Sequence, residues 1–583
     1  MIDVAARIAA TPQDTAWILR FDETTIDAQL VALAERFAAA GRDWSRFPLY
    51  GIPFAIKDNI DFAGQPTTAA CPEFAYVPKQ HAHVVQRLLD AGAICLGKTN
   101  LDQFATGLNG TRSPYGTVPN AFDPAYVSGG SSSGSASTVA RGLVSFSLGT
   151  DTAGSGRVPA GFNNIVGLKP TKGALSTQGV VPACRSLDCV SIFALTAADA
   201  DAVYGAAAGF DAGDIYSRAA GAQCTALPAP LRIGVPARLE FFGDSASEKA
   251  FSEAMQRALR LGASITRFDL DPFLEAAALL YDGPWVAERY AAIDTLFEAR
   301  AEVIHPVVRA VIAKARNFDA VATFKAAYRL EELRRATAPL WNGIDAMLVP
   351  TAPTIYTIEA MLADPVKKNS DFGFYTNFVN LLDLSAIALP AAMRDDGLPC
   401  GVTFIAPAWS DHALCALGAR WQHDTGLALG ATALTIGDAV ENVSRSHSQA
   451  VAPGCVRVAV VGAHLSGMPL NHQLTTRGAR LVTDARSAAD YKLYALANTT
   501  PPKPGLARVA QGGTSIALEL WDMPVSRFGE FVAEIPAPLG IGSVELDSGA
   551  WVKGFICEPC GIDGARDISG FGGWRSYLSS LRG

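Results

Sequence analysis

The chain has 583 residues, 49% of them hydrophobic and 18% charged, with a formal net charge of −8. This length predicts two or three folded units. The acidic balance argues against nucleic acid as the main partner, and no polybasic segment favours a membrane surface. No apolar run is long enough to span a membrane, and the first residues lack the pattern of a secretory signal, so a cytoplasmic protein is expected.

The predicted elements begin with a helical segment over residues 15–42, where apolar positions recur at helical spacing. From Pro48 to about Leu195, short apolar runs broken by glycine and serine predict buried strands with helices between them. Residues 232–237 predict a further strand, residues 247–339 have a largely helical pattern, and strand-like patterning then returns. The expected fold class is α/β, with a mixed sheet covered by helices.

Residues 437–454 (GDAVENVSRSHSQAVAPG) are polar and predict a linker between two domains, 1–436 and 455–583. The second domain starts with a strand-like run, VRVAVVGAHL. The segments TSIALELWDMP and FGEFVAEIP alternate as strands do, which predicts a small α+β domain.

The ten cysteines are scattered, and Cys557 and Cys560 alone form a CxxC pair. One such pair supplies at most half of a zinc site. The interpretation favoured here is two ordinary thiols in a reducing compartment.

Three motifs place a lysine and two serines where nucleophilic chemistry needs them. Lys57 closes the apolar run 52–57, Ser131 lies in the Gly/Ser run 129–137, and Ser155 lies in TDTAGSGR. A serine hydroxyl becomes a nucleophile when a base takes its proton. Lysine is such a base only if burial or neighbouring cations lower its ordinary pKa of about 10.4. A second serine can pass the proton between them.

Each motif alone has a simpler explanation: a linker, a solvated charge and an ordinary serine. The context favours catalysis, because Lys57 ends a strand that is expected to be buried, where an unpaired charge is costly. The Gly/Ser run also leads into an apolar stretch and not into a polar linker. The sequence leaves open whether the carboxylate of Asp58 faces the amine.

Together the motifs resemble those of the amidase signature family. Residues 51–58 (GIPFAIKD) are similar to its lysine motif, residues 129–134 (GGSSSG) to its Gly/Ser loop, and residues 150–157 (TDTAGSGR) to its nucleophile loop. The separation of 24 residues between Ser131 and Ser155 also matches the family. The resemblance covers roughly residues 20–430.

The resemblance implies that Ser155 is the nucleophile, that Ser131 is a bridging serine on a cis peptide, and that Lys57 is the general base. It also implies an oxyanion hole from backbone N–H groups of the nucleophile loop, worth about 3–4 kcal/mol of barrier per donor. The expected donors are Thr152, Ala153 and Gly154. This chain departs from many relatives by Ala153 in place of Gly and Gly156 in place of Ile. Neither a metal nor an organic cofactor is expected.

Four stretches resemble the allophanate hydrolase branch of the family: residues 104–116, 185–193, 279–293 and 377–390. In that branch, the residues matching Tyr281 and Arg289 hold the substrate's carboxylate, which suits the planar guanidinium. The alternative is that Arg289 pairs with Glu288 or another acid and that Tyr281 is an ordinary core residue. The backbone of Gly107 is expected to line the same pocket.

In the second domain, VVGAHLSGMPLNH resembles a loop of the γ-glutamyl cyclotransferase-like fold and the appended domain of long allophanate hydrolases. That resemblance implies decarboxylation of N-carboxycarbamate, with His464 as the main candidate and His472 as the second. The alternatives are that both histidines are structural, or that the domain is an assembly scaffold.

Two rival functions remain open at this point. One is another amidase-type enzyme, such as the glutaminase subunit of a tRNA-dependent amidotransferase. The other is an inactive scaffold subunit. The resemblance further implies a homodimer and, because no biotin-type module is seen, a separate urea carboxylase as partner. The sequence does not distinguish a urea pathway from s-triazine degradation.

Overall fold

The structure is a computed structural model that describes residues 13–221, 224–228, 230–436, 451, 454–497, 499–547 and 549–581. Contacts divide the chain into two compact units, Met1–Asp438 and Ala439–Gly583. Apart from residues 451 and 454, the predicted linker lies outside the described residues, so the domain limits stay a prediction. Within the described ranges, no helix combines the length and apolar character that crossing a membrane requires.

The strands of the first unit are listed here in chain order: β1 (Trp17–Arg20), β2 (Pro53–Lys57), β3 (Ile94–Thr99), β4 (Phe146–Asp151), β5 (Val166–Lys169), β6 (Cys189–Ala194), β7 (Arg232–Pro236), β8 (Ser264–Phe268), β9 (Ala346–Pro350), β10 (Leu384–Met393) and β11 (Pro399–Pro407). Its α-helices are Glu23–Ala39, His83–Asp90, Ser133–Ala140, Val158–Phe162, Ala197–Ala207, Ser245–Arg260, Asp271–Tyr281, Trp285–Ala291, Asp294–Arg300, Pro306–Ala313, Ala320–Thr337, Ile358–Ala363, Lys367–Phe372, Phe378–Leu381 and Asp411–Thr425.

These strands form one mixed sheet in the order β1-β3-β2-β4-β6-β5-β10-β11-β9-β7-β8. β2 runs parallel to both β3 and β4, whereas β4 and β6 are antiparallel. Strands β2 to β6 are buried along their whole length, as expected for a sheet covered by helices. The predicted α/β fold with a helix-covered mixed sheet is confirmed.

The Gly/Ser run continues into the helix Ser133–Ala140, in which every residue is buried. Its small side chains let the backbone approach the sheet closely. A Cβ added at Gly134 would lie 2.1 Å from the backbone oxygen of Ala16. The hydroxyl of Ser135 donates to the backbone oxygen of Leu148 in β4 at 2.9 Å. The run is therefore core structure that fixes the position of Ser131.

Two of the secondary-structure predictions for the first unit need correction. The segment 15–42 is not helical throughout, because Trp17–Arg20 is an edge strand paired with β3. Pairing with a distant strand overrides the local helical pattern there. The largely helical stretch 247–339 also contains the short strand β8, which pairs with β7 in parallel.

The strands of the second unit are β12 (Cys455–Val460), β13 (Arg480–Arg486), β14 (Tyr491–Ala495), β15 (Pro504–Arg508), β16 (Ala517–Pro524), β17 (Leu539–Glu545), β18 (Trp551–Cys557) and β19 (Arg566–Asp567). Its α-helices are His472–Thr475, Val525–Ala533, Pro559–Ile562 and Trp574–Ser580. The strands form a five-stranded sheet, β13-β16-β12-β18-β17, and a three-stranded sheet, β15-β14-β19. The unit is small and rich in strands, and its resemblance to the cyclotransferase-like fold stays a prediction.

The prediction that FGEFVAEIP forms a strand is wrong, because Val525–Ala533 is a helix. Phe531 is buried, and Phe528 and Ile535 pack against the same core. Their spacing of three and four residues matches one face of a helix. The strand prediction relied on alternation and overlooked this spacing.

Candidate active site

The lysine and the nucleophile loop lie at the same edge of the large sheet. Lys57 is the last residue of β2, and the loop carrying Ser155 follows β4. The two strands are parallel neighbours, with Ile56 opposite Leu148, so their carboxyl ends meet. Sheet topology therefore brings together two motifs that are about a hundred residues apart in sequence.

Lys57 is fully buried and its amine contacts two hydroxyl groups. Nζ lies 2.8 Å from Ser131 Oγ and 2.7 Å from Thr150 Oγ1. The peptide bond between Gly130 and Ser131 is cis. The structure thus brings Lys57 and Ser131 together as predicted, and it adds Thr150, which lies within a quoted motif but was not singled out.

The pKa of Lys57 is lowered to about 7. Burial is the main cause, the positive charge of Arg289 contributes, and the nearby carboxylates of Asp102, Asp188 and Asp151 oppose the shift. Asp58 does not face this amine, because its Oδ1 lies 2.9 Å from Nζ of Lys98. Near neutral pH, a large fraction of Lys57 is therefore the free base.

The nucleophile loop is anchored by a buried ion pair. Asp151 receives two bonds of 2.9 Å from Nε and Nη2 of Arg157. The same carboxylate accepts the backbone N–H groups of Gly154 and Gly156, each at 3.0 Å. Such a bidentate pair holds both ends of the short loop that presents Ser155.

The predicted oxyanion hole needs backbone N–H groups that are available to a ligand. Gly154 has φ +135° and its N–H is already bonded to Asp151, whereas within the described chain no acceptor is found for the N–H groups of Ala153 or Ser155. A Cβ at Gly154 would lie 2.4 Å from Oγ1 of Thr376. The loop is therefore closely packed on one side, and Ala153 and Ser155 offer the better donors.

Ser155 is only 3% exposed. Its hydroxyl makes no hydrogen bond to Ser131 or to any other described residue. The structure thus contains the first link of the predicted proton path, between Lys57 and Ser131, but not a formed second link. Catalytic hydrogen bonds often form only once substrate is bound.

Gly107 lies in a loop organised by the buried carboxylate of Asp102. This carboxylate accepts the backbone N–H groups of Asn109 and Gly110 at 3.1 Å and that of Arg112 at 3.0 Å. A Cβ at Gly107 would lie 2.5 Å from Asp102 Oδ2, so only glycine fits without displacement.

Tyr281 ends one helix and Arg289 lies in the next, with Asp282–Pro284 between them. Arg289 Nη2 donates to the Tyr281 hydroxyl at 3.1 Å, and the guanidinium stacks on the ring at 5.1 Å. Arg289 is only 2% exposed, and within the described chain no carboxylate is paired with it. Glu288 instead accepts the backbone N–H and hydroxyl of Ser186. The alternative pairing with Glu288 is thus absent.

A cavity of about 310 Å³ lies beside Tyr281, although Arg289 is not among its lining residues. It is lined by Arg112, Tyr281, Lys314 and Asn369 among others. Lys314 is paired with Asp282, which also lines the cavity, so Arg112 is the lining cation for which no carboxylate partner is found among the described residues.

Asp188 is a buried acid that the sequence reasoning quoted but did not assign. It accepts the Thr152 hydroxyl, the Ala183 N–H at 2.8 Å and the Cys184 N–H at 3.2 Å. Burial raises the pKa of Asp188 to about 6, against the effect of these hydrogen bonds. Its position in RSLDCVSIF, directly before β6, was the available signal.

In the second unit, His464 follows β12 and is largely buried. Its Nε2 lies 2.8 Å from Oε1 of Gln473, and its ring stacks on Phe555 at 4.8 Å. Burial lowers the pKa of His464. His472 is different, because its Nδ1 donates to the Pro469 oxygen at 2.9 Å and the contact is exposed.

The CxxC pair holds two free cysteines, with Cys557 buried and Cys560 exposed. Among the described ranges, no group of three or more His, Cys, Asp or Glu residues is placed to hold a metal ion.

Comparison with known proteins relates both units to described families. The Amidase model matches residues 4–415, and the model of the allophanate hydrolase C-terminal domain matches residues 456–579. Urea amidolyase of Saccharomyces cerevisiae is 44% identical over 98% of this chain, which spans only 31% of that protein's length.

The matches to two further relatives cover most of each relative's length. The structure of Kluyveromyces lactis allophanate hydrolase is 43% identical with a TM-score of 0.81, and the match covers 100% of this chain and 96% of that one. A glutamyl-tRNA(Gln) amidotransferase subunit of Nitratidesulfovibrio vulgaris is 34% identical over 72% of this chain and 91% of its own. The chain therefore belongs to the amidase signature family, with an allophanate hydrolase C-terminal domain following its amidase domain.

Proposed function

We propose that this chain is an allophanate hydrolase that uses Ser155, Ser131 and Lys57. The observation that carries the substrate choice is Arg289, a buried guanidinium beside Tyr281 with no carboxylate partner in the described chain. A buried cation is costly unless it is paired, so this arrangement favours a ligand that brings its own carboxylate. Allophanate is urea carrying one carboxylate. The similarity to the Kluyveromyces lactis enzyme supports the same choice.

The proposed first step is acyl transfer. Ser155 Oγ attacks the terminal amide carbonyl, and its proton passes through Ser131 to Lys57. The oxyanion is held by backbone N–H groups of the loop 152–155. When the tetrahedral intermediate collapses, the C–N bond breaks and the proton returns through the same relay, so that ammonia leaves.

In the second half-reaction, water attacks the acyl-enzyme, gives its proton to the relay and releases Ser155. The product is N-carboxycarbamate. A neutral amine suits this relay, since it has two N–H donors and one lone pair. Lys57 can donate to Thr150 and accept from Ser131, with the distances of 2.7 and 2.8 Å already in place. The missing contact between Ser131 and Ser155 would form in the substrate complex.

For the second unit we propose decarboxylation of N-carboxycarbamate at His464. Because Nε2 faces the acceptor Oε1 of Gln473, the ring proton belongs on Nε2 and Nδ1 is left as a base. Nδ1 would take the carboxyl proton and return it to the substrate nitrogen. The C–N bond breaks with its electron pair remaining on nitrogen, which releases carbon dioxide and leaves carbamate.

A glutaminase role is the second candidate, because the amidotransferase relative is 34% identical to this chain. That similarity covers 72% of the chain. It offers no role for the second unit. A urea carboxylase that supplies allophanate, and assembly of the chain as a homodimer, complete the proposal.

The test is ammonia release from allophanate, glutamine and simple amides, measured on the full chain. We expect turnover of allophanate, its loss in Ser155→Ala, and normal turnover in Ser145→Ala, which alters an exposed serine just before β4. Turnover of glutamine alone would contradict the proposal, and so would an active Ser155→Ala variant.

A further inference from the structure

The helix that carries Arg289 is attached to the turn that precedes β6. Glu288 accepts the backbone N–H of Ser186 at 2.6 Å and the hydroxyl of the same serine at 2.8 Å. Cys184 donates its thiol to the backbone oxygen of Trp285 at 3.5 Å. These contacts lie three residues apart along the helix, so they fix one face of it against the turn.

The turn, residues 183–188, is closed by its own hydrogen bonds. The N–H groups of Leu187 and Asp188 donate to the backbone oxygen of Cys184 at 2.8 and 2.9 Å. The carboxylate of Asp188 accepts the N–H groups of Ala183 and Cys184 at 2.8 and 3.2 Å. All four of these residues are buried. A buried network with this many internal bonds holds the turn in one conformation.

The other end of the turn contacts the nucleophile loop. The hydroxyl of Thr152 donates to the carboxylate of Asp188, and Thr152 lies three residues before Ser155. One turn therefore contacts both the loop that presents the nucleophile and the helix that presents the guanidinium. In the proposed reaction, the substrate's carboxylate and its scissile carbonyl must meet these two groups at the same time, which requires a fixed separation.

We infer that Glu288 is a positioning residue, which holds Arg289 at a fixed distance from Ser155 by docking its helix on the turn 183–188. The inference rests on the proposed function, because it needs Arg289 to bind the substrate's carboxylate. Glu288 acts through its two hydrogen bonds to the turn. It also lies close enough to Arg289 for its negative charge to act on the guanidinium, so the test has to separate contact from charge.

Three single variants make this separation in the full chain. Glu288→Ala removes both contacts and should raise KM for allophanate about tenfold, with a smaller effect on kcat. Glu288→Gln removes the charge but keeps an acceptor for the Ser186 N–H and a donor for its hydroxyl, so it should restore most of the lost affinity. Ser186→Ala removes one contact and should give an intermediate KM. Glu302→Ala is the matched control, since this exposed glutamate pairs with the exposed Arg300.

A double variant shows whether Glu288 acts through Arg289. The KM of Glu288→Ala with Arg289→Gln should equal that of Arg289→Gln alone, because misplacing a group that has been removed has no further effect. The rate of inactivation by phenylmethanesulfonyl fluoride reports on Ser155 separately. This reagent is neutral and has no carboxylate, so its rate should be unchanged in Glu288→Ala.

A normal KM in Glu288→Ala would overturn the inference, and so would a Glu288→Gln variant as impaired as Glu288→Ala. A further rise of KM in the double variant, or loss of inactivation in Glu288→Ala, would show a general structural role and overturn it as well. If Arg289→Gln alone leaves KM for allophanate normal, the proposed substrate site fails together with the inference. If Arg289→Gln raises KM and Glu288→Ala does not, the inference alone fails.

Discussion

Two buried lysines on adjacent strands show what distinguishes the proposed catalytic amine from a structural one. Lys57 on β2 and Lys98 on β3 are both fully buried. Lys98 contacts the carboxylate of Asp58 at 2.9 Å and donates to Thr67 Oγ1 at 2.6 Å. Lys57 contacts only hydroxyl groups. The two lysines therefore differ in their hydrogen-bond partners and not in their burial.

This difference decides where a proton can go. The carboxylate of Asp58 lies 2.9 Å from Nζ of Lys98, and its negative charge favours the protonated form of this amine. The hydroxyl partners of Lys57 both accept and donate, so a proton can pass through them to another group. The lesson is that burial lowers the pKa of a lysine so that its free amine is present at neutral pH, while hydroxyl partners let that amine exchange protons with other groups.

The largest expected effect comes from removing the amine that has hydroxyl partners. Lys57→Met should lower kcat for ammonia release by about 10⁴-fold or more, because the relay loses its base. The melting temperature should change little, since about half of this amine is already uncharged at pH 7. Steady-state kinetics and calorimetric melting check both parts. A variant that retains a tenth of the activity would remove Lys57 from the mechanism.

Removing the paired lysine should damage stability instead. Lys98→Met leaves the Asp58 carboxylate buried without its cation, which is expected to cost about 3–5 kcal/mol of unfolding free energy. Urea denaturation measures this loss. The double variant Lys98→Met with Asp58→Asn is the control, and it should recover much of the stability. Equal losses in the single and double variants would show that the ion pair is not the cause.

Removing Arg289, the cation of the proposed substrate site, should give a smaller effect. Arg289→Gln should raise KM for allophanate on the order of 10²-fold, because the substrate carboxylate loses a charge-assisted contact. The exposed Arg300→Gln variant is a matched control. An unchanged KM would exclude Arg289 from substrate binding.

The smallest expected effect is a shift in the pH dependence of kcat/KM. With a Lys57 pKa of about 7, kcat/KM should fall about tenfold per pH unit below that value and level off above it, since only the neutral amine is a base. The negative charge of Asp188 raises the Lys57 pKa, so Asp188→Asn should move this acidic limb to lower pH by less than about one unit. A shift to higher pH would contradict this electrostatic role.

Sequence alone predicted the α/β class, the family and the residues Lys57 and Ser131 that the structure brings into contact. These predictions were accessible because each motif is local: Lys57 ends a buried strand, and the Gly/Ser run leads into a buried helix. Asp58 could not be assigned, because its partner Lys98 is 40 residues away on another strand. Asp188 was missed for the same reason, since its role depends on a contact with Thr152. Thr152 follows β4, and Asp188 precedes the neighbouring strand β6.

Local pattern failed where two periods were compatible with the same residues. Phe528 and Phe531 were assigned to a strand from alternation nearby, although residues three apart share a face of a helix and lie on opposite faces of a strand. Trp17–Arg20 was assigned to a helix because the strand depends on β3, which lies far along the chain. In both segments the deciding contacts are tertiary.

The wholly interior helix Ser133–Ala140 also has a practical consequence for handling the gene. A Gly/Ser-rich segment is the usual choice of site when an affinity tag, a protease recognition site or a fusion partner has to be inserted into a protein. Here such an insertion would open the space between Gly134 and Ala16, where not even a methyl group fits. Low sequence complexity in this chain therefore marks one of its least permissive positions for insertion.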